Sequence, residues 1–170
     1  MNRFVFLFSV VGLALAVTGC GTNKFQQELA TEESAIKLYN ETAAGKYELI
    51  STEELHDFME EGKDALIVDA MPAAASYDKG HLEGAVNFEF PKEVIEEWNK
   101  DTMGERTREQ YEALLGKDKN RTIIVYCGFV KCARSHNAAI FAQELGYKNV
   151  KRFPGGIHAW RGAGYKLTTE

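Results

Sequence analysis

Two cysteines separated by four residues, Cys127 and Cys132, lie among cations and a glycine in the stretch Tyr126-Cys127-Gly128-Phe129-Val130-Lys131-Cys132-Ala133-Arg134-Ser135-His136. A thiolate is the nucleophilic form of cysteine. Helix N-termini and nearby cations bring a thiol pKa from about 8.5 into the range of about 3.5 to 7.5. Thr122-Ile123-Ile124-Val125-Tyr126 is a short unbroken run of β-branched and aromatic residues, the pattern of a buried parallel strand, so Cys127 falls at a strand's carboxyl end. From Ser135, residues Ala138, Ala139, Phe141, Ala142 and Leu145 recur at helical spacing and stop at Gly146, a glycine C-cap. Strand, loop and helix in that order form the junction where open α/β sheets bind ligands, because loop amides and a helix N-terminus converge there. Lys131 and Arg134 add two positive charges. The opposing reading makes Cys127 a small buried hydrophobe, which free cysteine often is.

Other stretches fall into an ordered set. Leu66-Ile67-Val68-Asp69 reads as a strand ending on aspartate, and Ser76 to Asn87 contains Gly80-His81-Leu82 and Gly84-Ala85-Val86. Leu145-Gly146-Tyr147 ends the helix after the cysteine loop, and Pro154-Gly155-Gly156-Ile157 with Trp160 closes the set. From about Tyr47 to Leu167 this arrangement resembles a single-domain rhodanese, the sulfurtransferase fold, with Cys127 where that family has its nucleophile. The resemblance implies an open, parallel, five-stranded α/β sheet with helices on both faces. It also implies a Cys127 persulfide that carries sulfane sulfur from a donor such as thiosulfate or polysulfide to a thiophilic acceptor, with no cofactor.

Under that reading the backbone N–H groups of Gly128, Phe129, Val130, Lys131, Cys132 and Ala133 ring the sulfur, with Gly128 allowing close approach. Arg134 holds an anionic donor or the sulfite leaving group, Asp69 orients loop amides, and His81 and Ser135 are supporting residues. For His81 a structural hydrogen bond is favoured, for His136 and Lys131 plain exposure; Phe129 and Val130 either form an apolar lip or fold inward. Cys132 is either packing or a resolving thiol, and the latter makes the domain a redox or sulfur-carrier module. Two departures stand out. Arg134 comes seven positions after Cys127, two more than in the usual short loop, and Met71 occupies the position of a common arginine. Phosphatase or arsenate reductase chemistry, which uses an arginine six positions after the cysteine, fits less well. A metal site is not indicated, since the cysteine pair lacks two further ligating cysteines.

Composition sets the frame. The chain has 170 residues and a formal charge of −5, which argues against a nucleic-acid partner. Arg3, the apolar stretch from Phe4 to Val17 and Val17-Thr18-Gly19-Cys20 resemble a bacterial lipoprotein signal. That resemblance implies export, cleavage before Cys20 and lipid on its sulfur, anchoring the chain to the extracytoplasmic face of the envelope, the outer membrane where one exists. The expected organisation is a signal over 1–19, a lipidated tether over 20–45 and the domain over 46–168. In the tether Phe25, Leu29, Ile36 and Tyr39 are spaced to give a helix one thin apolar stripe. Beyond it, strands are expected at Glu48 to Ile50, Ala65 to Asp69, Ala85 to Phe90 and Val150 to Phe153. Helices are expected after a Ser51–Glu54 capping box, from Pro91 to Asn99, and over Thr107 to Leu115.

Overall fold

The computed structural model describes residues 23–169. Its elements run α1 (Lys24–Gly45), β1 (Glu48–Leu49), α2 (Thr52–Glu60), β2 (Leu66–Asp69), a 3₁₀ turn (Tyr77–Lys79) and β3 (Val86–Asn87). These are followed by α3 (Lys100–Met103), α4 (Arg108–Leu115), β4 (Thr122–Tyr126), α5 (Arg134–Glu144), β5 (Asn149–Phe153) and α6 (Gly156–Gly162). All strand pairs are parallel, in the order β1-β5-β4-β2-β3, so β4 is central. Strand residues alternate between faces. Ile123, Val125 and Cys127 therefore join one hydrophobic cluster with residues of α4 and α5, while Ile124 and Tyr126 join another with residues of α2 and α6. Helices thus cover both faces of the sheet, as expected.

Local signals account for most boundaries. Ser51 and Glu54 form the reciprocal capping box of α2, and Thr107 and Gln110 do the same for α4. Gly146, at φ 91°, ends α5, with its N–H on Gln143 O and the Tyr147 N–H on Ala142 O.

Two expectations are corrected. Residues 91–99 are not a helix. The Asn137 amide takes that segment's backbone groups instead, its Nδ2 donating to Pro91 O (3.0 Å) and Glu93 O (2.8 Å) and its Oδ1 accepting from Ile95 N (3.2 Å). An N–H or carbonyl satisfied by a tertiary partner has no need of the i→i−4 ladder. The second correction concerns β3, which spans Val86–Asn87 rather than Ala85 to Phe90. The helix expected in the tether forms from Lys24, with Asn23 as N-cap, and its C-terminal part packs on the domain, with Glu41 and Gly45 buried. Its stripe residues Phe25, Leu29, Ile36 and Tyr39 are all exposed.

Candidate active site

The loop between β4 and α5 is fixed from below by α6. Ile157 N–H donates to Cys127 O and His158 N–H to Gly128 O, both at 3.0 Å. Gly156 lets this happen: its φ is 56°, and a β-carbon there would come within 2.0 Å of Cys127 O. Close packing against the loop backbone, rather than a turn alone, is what the Pro154-Gly155-Gly156 stretch provides. Gly128, in contrast, has room for a β-carbon, whose nearest neighbour would be Met71 Cε at 3.6 Å.

Within the loop the two sulfurs meet. Cys127 is fully buried and Cys132 is 8% exposed; both are free thiols. The Cys127 sulfur faces the carbonyl of Cys132 at 3.3 Å and the Ser135 hydroxyl at 3.2 Å, and its side chain hydrogen-bonds that of Cys132. The hydrogen bond from Cys127 is the largest influence lowering the Cys132 pKa to about 6; burial opposes it, and the Arg134 and Gly128 N–H groups and the Arg134 charge assist it. For Cys127 the hydrogen bond with Cys132 raises the pKa, with burial and the neighbouring Cys132 charge adding to it; the Ser135 hydroxyl and N–H pull the other way. Two thiols that interact in this way share one negative charge, and the opposite directions of their shifts favour it on Cys132. Around the Cys127 sulfur stand the carbonyls of Phe129 and Cys132 and the hydroxyl of Ser135.

Beneath the loop lies Arg152, fully buried on β5. Its Nε donates to Ser135 Oγ (2.9 Å), one terminal nitrogen to Cys132 O (3.2 Å), and the other to Glu41 (2.6 Å) and Tyr47 Oη (3.0 Å). Tyr47 Oη in turn lies 2.8 Å from His136 Nδ1. With the Arg152 donor on Tyr47, the tyrosine proton points to Nδ1, which makes His136 the neutral Nε2–H tautomer. Burial first, and then the Arg152 and Lys37 charges, bring the His136 pKa down to about 4. His136 is buried, contrary to the expected exposure, because Tyr47 covers the start of α5.

A family model described as the Rhodanese-like domain matches residues 51–163. The chain belongs to the rhodanese-like domain family. No curated protein matches the sequence. Among solved structures, a rhodanese-related protein from Thermoplasma volcanium is 20% identical with a TM-score of 0.52, covering 73% of this chain and 100% of that one. The rhodanese-like domain of an Anabaena protein is 21% identical at a TM-score of 0.52, covering 72% and 79%. A Rhodopseudomonas palustris protein described as a possible tyrosine phosphatase is 22% identical at 0.52, covering 79% and 93%. At such identities these neighbours speak to the fold.

Of the residues named from the sequence, this rhodanese-like domain brings Cys127, Gly128, Cys132, Arg134 and Ser135 together and leaves others apart. Asp69 does not orient the cysteine loop; its Oδ1 accepts from Met71 N (2.7 Å), just beyond its own strand. His81 stacks on Tyr77 and bonds Tyr77 O through Nδ1, the structural role favoured for it. Arg134 is turned to Phe90 O and Glu89, so its side chain braces the 89–91 segment and only its N–H and charge serve the sulfur. Lys131 pairs with Glu33 of α1 at 3.1 Å, and Phe129 is exposed, its ring against His158. Sequence reading missed Arg152, Glu41 and Tyr47. One signal for Arg152 was available: strand alternation puts it on the same face as Val150, the core face.

The sign of the titration follows directly. Cys132 has a folded pKa below that of a free thiol, so it is ionised above pH 6 or so and protonated below. Iodoacetamide labelling of Cys132 in this rhodanese-like domain is expected to rise with a midpoint near pH 6. In Cys127→Ala the midpoint moves up, because the largest lowering influence is gone. A Cys132 midpoint above about 8 in the unmodified chain, the range of an ordinary thiol, contradicts the charge assignment.

Proposed function

We propose that this rhodanese-like domain moves sulfane sulfur from a small donor such as thiosulfate or polysulfide to a thiophilic acceptor, with both loop cysteines taking part. One feature supports the reading: the two loop thiols interact, the fully buried Cys127 being pushed towards its protonated form while the Cys132 pKa is brought down to about 6. The Cys132 thiolate attacks the outer sulfur of thiosulfate; the S–S bond breaks, its electron pair leaves on sulfite, and Cys132 becomes a persulfide. An external nucleophile such as cyanide or a thiol then takes the terminal sulfur and frees the Cys132 thiolate. Alternatively, Cys127 gives up its proton and attacks the inner sulfur. Hydrosulfide then leaves and a Cys127–Cys132 disulfide forms, in which two thiols are oxidised and the sulfane sulfur is reduced; a dithiol reductant resets the pair.

A second reading has Cys127 as the carrier. It is favoured by the place of Cys127 at the end of β4, where the resemblance puts the nucleophile, and by the Ser135 hydroxyl and N–H that support its charge. A tetrahedral oxyanion fits less well than either, since the Arg134 guanidinium is turned to Phe90 O and Glu89. Intact mass and peptide mapping of the full chain after thiosulfate or polysulfide separate the readings. The first expects one added sulfur on Cys132, then its loss as hydrosulfide when the disulfide closes, leaving the chain two hydrogens lighter than the untreated dithiol; sulfur mapped to Cys127 supports the second, and no added sulfur with no disulfide overturns both.

The export and lipid anchor through Cys20 are proposed on sequence alone, since residues 1–22 lie outside the described region. No helix among the described residues is long and apolar enough to cross a membrane. Cys20→Ser is expected to move the protein from the membrane to the soluble fraction, and unchanged fractionation refutes the anchor.

A further inference from the structure

The family match begins at residue 51, yet the arginine beneath the thiol loop is completed by groups that precede it. Arg152 is fully buried, and its counter-charge, Glu41, comes from α1 with only 7% side-chain exposure. Tyr47, the other acceptor of the same nitrogen, comes from the segment between α1 and β1. The remaining two donors of the guanidinium face the loop, on Ser135 Oγ and Cys132 O. A planar fork holding four acceptors has no rotational freedom left.

The consequence lies in the Ser135 hydroxyl. A hydroxyl has one proton and two lone pairs. With Arg152 Nε donating to one lone pair, the proton is directed elsewhere, and the Cys127 sulfur lies 3.2 Å away. Were Arg152 absent, the same hydroxyl could rotate and accept from the thiol, favouring the uncharged form. The Cys132 carbonyl, which faces the Cys127 sulfur at 3.3 Å, is held in place by the same guanidinium.

We propose that Arg152, anchored by Glu41 of α1, is the positioning residue of the thiol loop: it turns the Ser135 hydroxyl into a donor to Cys127, so that Cys127 can carry charge once Cys132 is oxidised or carries sulfur. Helix α1 is thereby part of the site. This role of Arg152 rests on the two-thiol reading for its consequence in sulfur transfer, whereas alkylation reports on Cys127 with no donor present, so the two fail by different measurements.

The charged and titratable groups around the pair are Lys37 and Glu41 from α1, Tyr47, Cys132 from the loop, Arg134 and His136 from α5, and Arg152 from β5. Lys37 pairs with Glu41 and lies close enough to feel both sulfurs. In the test Cys132 is alanine throughout, Glu41 changes only together with Arg152, and the other groups are unchanged. The background is the full chain carrying Cys132→Ala, in which the residue-132 carbonyl remains, and the readout is the pH midpoint of Cys127 alkylation by peptide mapping. Arg152→Met alone leaves the buried Glu41 with Lys37 as its one remaining counter-charge, so Glu41→Gln with Arg152→Met is the working variant, its fold checked by circular dichroism and thermal melting. Ser135→Ala and Glu41→Gln/Arg152→Met are each expected to raise the midpoint by about one pH unit, a tenfold fall in thiolate at fixed pH. Combining them is expected to add little more, because both act through one hydroxyl. Arg152→Lys keeps the charge and loses the fork, and is expected to behave like the methionine variant. A midpoint unmoved by either change, additive shifts, or full rescue by lysine would each overturn the proposal.

Discussion

Cys132→Ser lowers the rate of sulfur uptake from thiosulfate or polysulfide by at least about a hundredfold, because serine is not ionised at neutral pH and has little nucleophilicity without a base. Cys127→Ser leaves uptake within about tenfold of the parent chain, the loss coming from the thiol hydrogen bond that lowers the Cys132 pKa. It also abolishes the disulfide and the release of sulfide. The asymmetry follows from the lowered Cys132 pKa and from enclosure: Cys127 is fully buried, whereas Cys132 retains 8% exposure. Single-turnover uptake with cyanide discharge measures both. The reverse ranking, with Cys127→Ser inactive and Cys132→Ser active, makes Cys127 the carrier and Cys132 an adjunct.

The largest effect on stability is expected away from the sulfurs, at Gly156→Ala. A non-glycine residue at φ 56° costs about 1 kcal/mol. The larger effect is steric. The new methyl would sit 2.0 Å from the Cys127 carbonyl oxygen, which the Ile157 N–H also needs, so α6 or the loop must move. A loss of about 3 kcal/mol or more is expected, seen as a fall in melting temperature of about 10 °C. Thiol reactivity should rise at Cys127 as its seal loosens. A melting temperature within about 2 °C of the parent, less than 1 kcal/mol of destabilisation shifts a domain of this size, contradicts the packing assigned to Gly156.

Much of this molecule was readable from sequence because its signals are local. Thr122 to Tyr126, the Ser51–Glu54 capping box and the Gly146 stop each specify an element within a few residues, and the observed boundaries agree to within one or two positions. What escaped was set by distant partners. Pro91 promised a helix, but Asn137, more than forty residues on, binds the backbone groups a helix would have used. Asp69 and His81 stand at strand ends and turns as the pattern implied, yet side-chain direction decides what each touches, and neither points to the cysteine loop. His136 looked like a solvated helix-start residue because nothing near it in sequence reveals that Tyr47 lies on top. The thiol pair follows the same rule: spacing shows two cysteines in one loop, but not that Arg152, twenty residues after Cys132, holds the Cys132 carbonyl and the Ser135 hydroxyl beside Cys127.

The ion pair between Glu41 and Arg152 bears on how this protein can be cut. A fragment begun at residue 51, where the family match starts, discards both the carboxylate and Tyr47, leaving a guanidinium in the interior with half its acceptors missing. Removing one member of a buried pair destabilises by about 3 to 5 kcal/mol, a large part of what holds a domain of this size together. Any shortened version intended for crystals or assays has to begin upstream of α1.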